Sequence, residues 1–153
     1  ENGLKVKKCK THKIILTGGV FTDADDVNQY QRDVEERIID YGLDPYYAEY
    51  LVGNYGRQTE TILITYEKRE DEDFEIRLAL SELEFVIENE LAHSALDFFE
   101  RRTGRLYFNI KTIPKLIDPV LKYMKTQLRW TEERLTQEKN WLEKEIKVAS
   151  EFI

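Results

Sequence analysis

Residues 88–108, ENELAHSALDFFERRTGRLYF, decide how the chain is read. This run gathers Glu88, Glu90, His93, Asp97 and Glu100 with three arginines and four aromatic residues. Such a mixture suits an active site, a phosphate cradle, or a helix with its caps. Spacing favours the helix, because Ala92, Ala95, Leu96 and Phe99 recur at the intervals of one helical face. Upstream, Ser81-x-x-Glu84 reads as the capping box that opens it, with Phe85 and Val86 on the same face. The segment is one helix or two joined near His93, and Gly104 supplies its left-handed stop. Arg101, Arg102 and Arg105 then fall at the C-terminal end, where the helix dipole favours an exposed cation by about 0.3–1 kcal/mol. Arg102 is expected to be largely buried and paired with Glu90 or Asp97. The functional alternative is a weak anion site formed by Arg101, Arg102 and Arg105. The acids beside them argue against it, because they already compete for the guanidinium groups.

The flanks carry the same helical grammar. Thr22 or Asp23 caps a first helix with Asp23, Asp25 and Asp26 at its positive end. Val27, Tyr30, Val34, Ile38 and Tyr41 form its stripe, and Gly42 stops it. The acidic cluster lacks the glycine and distal glutamate of a calcium loop. Asp44-Pro45 opens a second helix, with Tyr47, Leu51 and Tyr55 on one face and Gly56 at its end. A third covers 58–66 with Ile62 and Leu63 inward, and 67–73, EKREDED, reads as a solvated loop. Downstream, 106–110 is a short buried connector. Pro114 and Pro119 lie near the start of a helix striped by Leu116, Val120, Tyr123, Met124 and Leu128. Thr131 caps a last helix reaching about Ser150, with Leu135, Leu142, Ile146 and Ala149 on one side. Residues 1–21 show no helical period and read as an extended, basic tether. The expectation is an all-α bundle of about six helices, preceded by an extended N-terminal segment.

At 153 residues and 18.2 kDa the chain suffices for one core. Its net charge of −7 repels phosphate backbones and anionic lipid, which disfavours nucleic acid and membrane partners. Cys9 is the only cysteine, which excludes an internal disulfide and suits the cytoplasm. No apolar run approaches the roughly 20 residues of a membrane span. The opening ENGLKVKKCK reads like the interior of a longer polypeptide. The two histidines, His12 and His93, are far apart, and no Cys–His pair or Gly-x-Ser-x-Gly elbow is present. Gly18-Gly19 lacks the third glycine of a dinucleotide fingerprint. No catalytic, cofactor-binding or metal-ligating residue is therefore assigned.

Four stretches, CKTHKIILTGG, YGRQTETIL, ENELAHSALDFFERRTGRLYF and LRWTEERLTQEKNWLEKEI, follow one another at spacings that point to a family. The chain resembles, over nearly its whole length, the C-terminal domain of FAD-dependent (aerobic) glycerol-3-phosphate dehydrogenases and the related glycerol-3-phosphate oxidases. The most specific part lies in 90–108, with Glu90, Asp97, Arg101, Arg102 and Gly104 as a structural signature. The resemblance implies that 1–21 lead in from a preceding flavin domain and that 22–153 form a helical accessory cap. It implies a parent enzyme that oxidises glycerol 3-phosphate to dihydroxyacetone phosphate, with electrons passing through FAD to quinone or oxygen. FAD would belong to the parent's N-terminal domain, the principal partner, and this chain would support stability or assembly without catalysis. A homo-oligomer, a cytoplasmic location and peripheral membrane contact through the parent are compatible with it. The alternatives are an independent helical protein-interaction module and a weak anion-binding domain.

Overall fold

Local stop signals cut the chain where the sequence places most of them. The computed structural model describes residues 8–71 and 73–151, which hold seven α-helices and no strand. The chain divides into two compact units, one comprising residues up to Asp40 together with Asp44–Thr59, the other Tyr41–Leu43 and the chain from Glu60 onward.

In the first unit, α1 (Ala24–Asp40) packs on α2 (Tyr46–Tyr55). Asp23 opens α1 by accepting the Asp26 N–H at 3.0 Å, while Asp26 accepts the Thr22 N–H at 3.0 Å. These bonds satisfy N–H groups the helix cannot use itself. Tyr30, Val34 and Ile38 are buried from α1, and Tyr47, Leu51 and Tyr55 from α2, matching the expected stripes. Asp44 accepts the Tyr46 N–H at 2.9 Å, ahead of α2. The described part of the lead-in contains no strand or α-helix, only a 3-10 turn, Thr11–Lys13, and a second turn at Thr17–Gly18. Residues 1–7 of the expected tether lie outside the described residues.

The second unit contains α3 from Glu60 (the whole helix spans Thr59–Lys68), α4 (Phe74–Glu90), α5 (Arg105–Phe108), α6 (Ile113–Leu128) and α7 (Glu132–Ser150). Its centre is α4 against α6, with α7 packed on α6. Leu78, Leu83 and Val86 of α4 meet a core shared with Leu116, Val120 and Met124 of α6, all at most 1% exposed. Each such side chain contributes roughly 1.5–3 kcal/mol by leaving water. Thr131 caps α7 through the Arg134 N–H at 3.2 Å, as its position implies.

Three expectations need correction. α4 begins at Phe74, not at Ser81, because Asp73 caps it by accepting the Glu75 and Ile76 N–H groups at 3.1 Å. Ser81 lies buried inside the helix, its hydroxyl donating to the Arg77 carbonyl at 2.8 Å. The charged loop is not merely solvated. Arg69 pairs with Asp71 at 3.0 Å and Glu84 at 2.9 Å, and Arg77 donates to the Asp71 carbonyl at 2.7 Å. The connector after Gly104 buries Leu106 but leaves Tyr107 and Phe108 exposed, at 60% and 85%.

Candidate functional site

The signature segment folds as a break followed by one wide turn. α4 stops at Leu91, held in the left-handed region at φ 58°. A capping box then starts the next turn: Ser94 Oγ accepts the Asp97 N–H at 3.0 Å, and Asp97 Oδ2 accepts the Ser94 N–H at 3.0 Å. The His93 N–H also donates to Asp97, at 3.1 Å, so it is the backbone of His93 that meets this carboxylate. Burial raises the Asp97 pKa, but the His93 N–H, Ser94 and Arg101 outweigh it and hold the carboxyl below its ordinary 3.8. Residues Asp97–Arg102 form a π-helical turn, in which the Thr103 N–H reaches the Phe98 carbonyl five residues back at 3.0 Å. Phe98 and Phe99 are fully buried beneath it, and Gly104 ends it at φ 62°.

The three arginines go to three different acceptors. Arg101, 68% exposed, meets Asp97 at 2.6 Å. Arg102 donates to the Glu90 carbonyl at 2.6 Å and stands 3.8 Å from the Glu90 carboxylate. It thereby finds the expected partner, but its side chain stays 38% exposed and the expected burial is not observed. The buried arginine is Arg105, 3% exposed and 2.5 Å from Glu82, which is fully buried on α4. Arg101, Arg102 and Arg105 thus face Asp97, Glu90 and Glu82 separately.

A second buried acid ties this segment to α7. Glu138, 1% exposed, accepts the Ala95 N–H at 2.8 Å through Oε2, and its Oε1 lies 2.5 Å from Arg134. Arg134 in turn stacks between Trp130 and Trp141, with ring centroids 5.9 and 5.4 Å away. Neither Glu82 nor Glu138 is singled out by sequence. The Ser94-x-x-Asp97 box was readable as a motif and was obscured by Ser81-x-x-Glu84, which has the same form.

Elsewhere in this unit, α4 and α6 border a cleft of about 510 Å³ lined by Ile76, Leu80, Pro119 and Tyr123, with Asp71 and Lys122 among its polar groups. Burial and a 2.7 Å hydrogen bond to Glu84 push the Tyr123 hydroxyl up to about 12, so it remains a neutral donor at physiological pH. Among the described residues no group of three or more His, Cys, Asp or Glu is placed to hold a metal ion. No helix among them is long and apolar enough to cross a membrane.

With these contacts defined, comparison with known proteins is informative. Residues 9–135 match the family described as the C-terminal domain of alpha-glycerophosphate oxidase. The chain belongs to this family. The aerobic glycerol-3-phosphate dehydrogenase of Staphylococcus haemolyticus is 31% identical over 153 residues, covering 99% of this chain and 27% of that protein. The enzyme of the same name from Bacillus subtilis is 29% identical over 128 residues, covering 82% of this chain and 23% of its own length. The X-ray structure of the glycerol-3-phosphate dehydrogenase from Bacillus halodurans complexed with FAD superposes with a TM-score of 0.77 at 31% identity, covering 91% of this chain and 29% of that one. The chain therefore spans about a quarter of the length of the relatives it matches. The stretches CKTHKIILTGG and YGRQTETIL, which carry part of the resemblance, touch in the fold. The Arg57 N–H donates to the Gly18 carbonyl at 2.9 Å, joining the two.

Proposed function

We propose that this chain is the C-terminal accessory domain of a longer FAD-dependent glycerol-3-phosphate dehydrogenase that passes electrons to quinone or oxygen. Residues 1–21 would lead in from the flavin portion and 22–153 would form the helical cap. The observation that carries the reading is the family match over 9–135, joined to a fold shared with an FAD-complexed enzyme at a TM-score of 0.77.

The Gly18-Gly19 pair does not fit FAD. A dinucleotide fingerprint needs a glycine whose missing Cβ lets backbone approach the pyrophosphate. At Gly18 that space is filled by the chain itself, since an added Cβ would stand 2.5 Å from the Tyr55 carbonyl oxygen. The flavin and the chemistry therefore belong to the remainder of the polypeptide. The role of this part is support: Glu90, Asp97, Arg101, Arg102 and Gly104 shape a turn, while Glu82, Arg105 and Glu138 fix it to its neighbours. Cytoplasmic location, with membrane contact made only through the parent, accords with the acidic net charge of −7.

The test is to express the full reading frame that contains this chain. The expected protein shows flavin absorption bands that bleach on adding glycerol 3-phosphate anaerobically. The 153-residue chain alone is expected to show neither bands nor turnover. A full-length protein that takes up no flavin would overturn the reading.

A further inference from the structure

Ile14, Ile15 and Leu16 are consecutive, apolar, and exposed at 67%, 68% and 78%. A loose tether has no need of such a run, and the residues after the run are firmly held. The Gly19 N–H closes a turn on the Leu16 carbonyl at 2.9 Å, and the Gly18 carbonyl accepts the Arg57 N–H at 2.9 Å. Gly18 and Gly56 both have positive φ, at 82° and 56°. A Cβ on Gly56 would stand 2.2 Å from the Gly18 carbonyl oxygen, closer than any side chain tolerates. Two backbones can meet this way only where both side chains are absent. Arg57 secures the next residues, lying 2.5 Å from Asp26 and stacking on Phe21 and Tyr30 with centroids at 4.7 and 4.4 Å. The apolar run thus leaves a fixed anchor in a fixed direction.

We propose that Ile14, Ile15 and Leu16 are a docking strip, occupied by the flavin-bearing portion of the same polypeptide, and that the Gly18–Gly56 contact is the joint that aims it. This rests on the function proposed above. On that reading the rest of the polypeptide precedes the strip in sequence. A covalently attached surface competes at millimolar effective concentration, ahead of a second copy or a free partner. The family match begins at residue 9 and so includes both the strip and the joint. The glycines and Arg57 serve the strip by removing its freedom before docking, which lowers the ordering cost of the contact.

The experiment places the photo-cross-linker p-benzoylphenylalanine at position 15 of the full-length polypeptide and maps the product by mass spectrometry. The expected cross-link is intramolecular and ends in the flavin-bearing portion, ahead of the 1–21 lead-in. A cross-link between two copies, a cross-link confined to the lead-in or the helical cap, or none to protein would each overturn the proposal. Gly56→Ala is expected to lower the yield about tenfold, in line with the strain of forcing a side chain into this backbone region. Arg57→Ala, which keeps both glycines, is expected to lower it less, and serves if Gly56→Ala does not fold. A wild-type yield in the folded variants would overturn the joint. Flavin bands in the same preparation separate the two readings. A flavin-free protein defeats the proposed function, whereas a flavin-loaded protein without the cross-link defeats only the docking strip.

Discussion

Arg57 in the first unit and Arg105 in the second both stand 2.5 Å from a carboxylate, yet they do different work. Arg57 is 38% exposed and its partner Asp26 27%, whereas Arg105 is 3% exposed and Glu82 0%. Water screens the first pair, so its position is set by the aromatic rings it stacks on and by the glycine contact beside it. The second pair has no such screening, so both charges depend on protein groups rather than on water. Separation is therefore a poor guide to what an ion pair contributes, and burial decides it.

The largest test of that contrast is Arg105→Ala. Removing one partner of a buried pair leaves the other charge buried without it and costs about 3–5 kcal/mol, read from urea unfolding midpoints. The double variant Glu82→Leu/Arg105→Met is expected to lie much closer to wild type, because it removes both charges and keeps the volume. A single variant within about 1 kcal/mol of wild type would show that the pair is not what fixes α5. Gly56→Ala comes next, at about 1–3 kcal/mol for a non-glycine residue in strained backbone, aggravated by the Gly18 oxygen. Arg57→Ala is smaller. It loses two cation–π contacts worth about 0.5–1 kcal/mol each at a partly exposed site. The Asp26 share of that loss should shrink in 1 M salt, which leaves an Arg105→Ala loss nearly unchanged.

Much of the fold was legible because its stops are local chemistry. Gly42, Gly56, Gly104 and Thr131 act where their residue types say they should, since positive φ and orphaned N–H groups belong to a few neighbouring residues. The buried polar contacts were not legible, for two physical reasons. The first is phase. With α4 starting at Ser81, Glu82 would occupy a first turn, where an acid is expected in solvent. Starting from Asp73 it lies mid-helix on the inward side. The second is a pair of left-handed breaks, at Leu91 and Gly104, which reset the helical phase on either side of the π turn Asp97–Arg102. Arg102 stays partly exposed beside Glu90, and the helix that restarts after Gly104 buries Arg105 instead. Neither the wide turn nor the break at Leu91 leaves a mark on the apolar pattern.

The third arginine extends the comparison to its weakest case. Arg101 meets Asp97 at 2.6 Å, about as close as Arg105 meets Glu82, but is 68% exposed. As an i, i+4 surface pair it should contribute about 0.3–0.5 kcal/mol, so Arg101→Ala is expected to cost roughly a tenth of Arg105→Ala. Asp97 itself gives the pH signature. Its folded carboxyl titrates below the ordinary 3.8, so the folded state binds fewer protons than the unfolded one through that range. The stability this adds is fully present above 3.8 and is lost as pH falls through the lowered folded value. Asp97→Asn keeps an oxygen for the Ser94 N–H but not the charge. It should therefore differ from wild type at pH 7 and converge with it in strong acid. A gap that persists at pH 2 would mean that the charge on Asp97 contributes nothing, and that the capping geometry alone holds this turn.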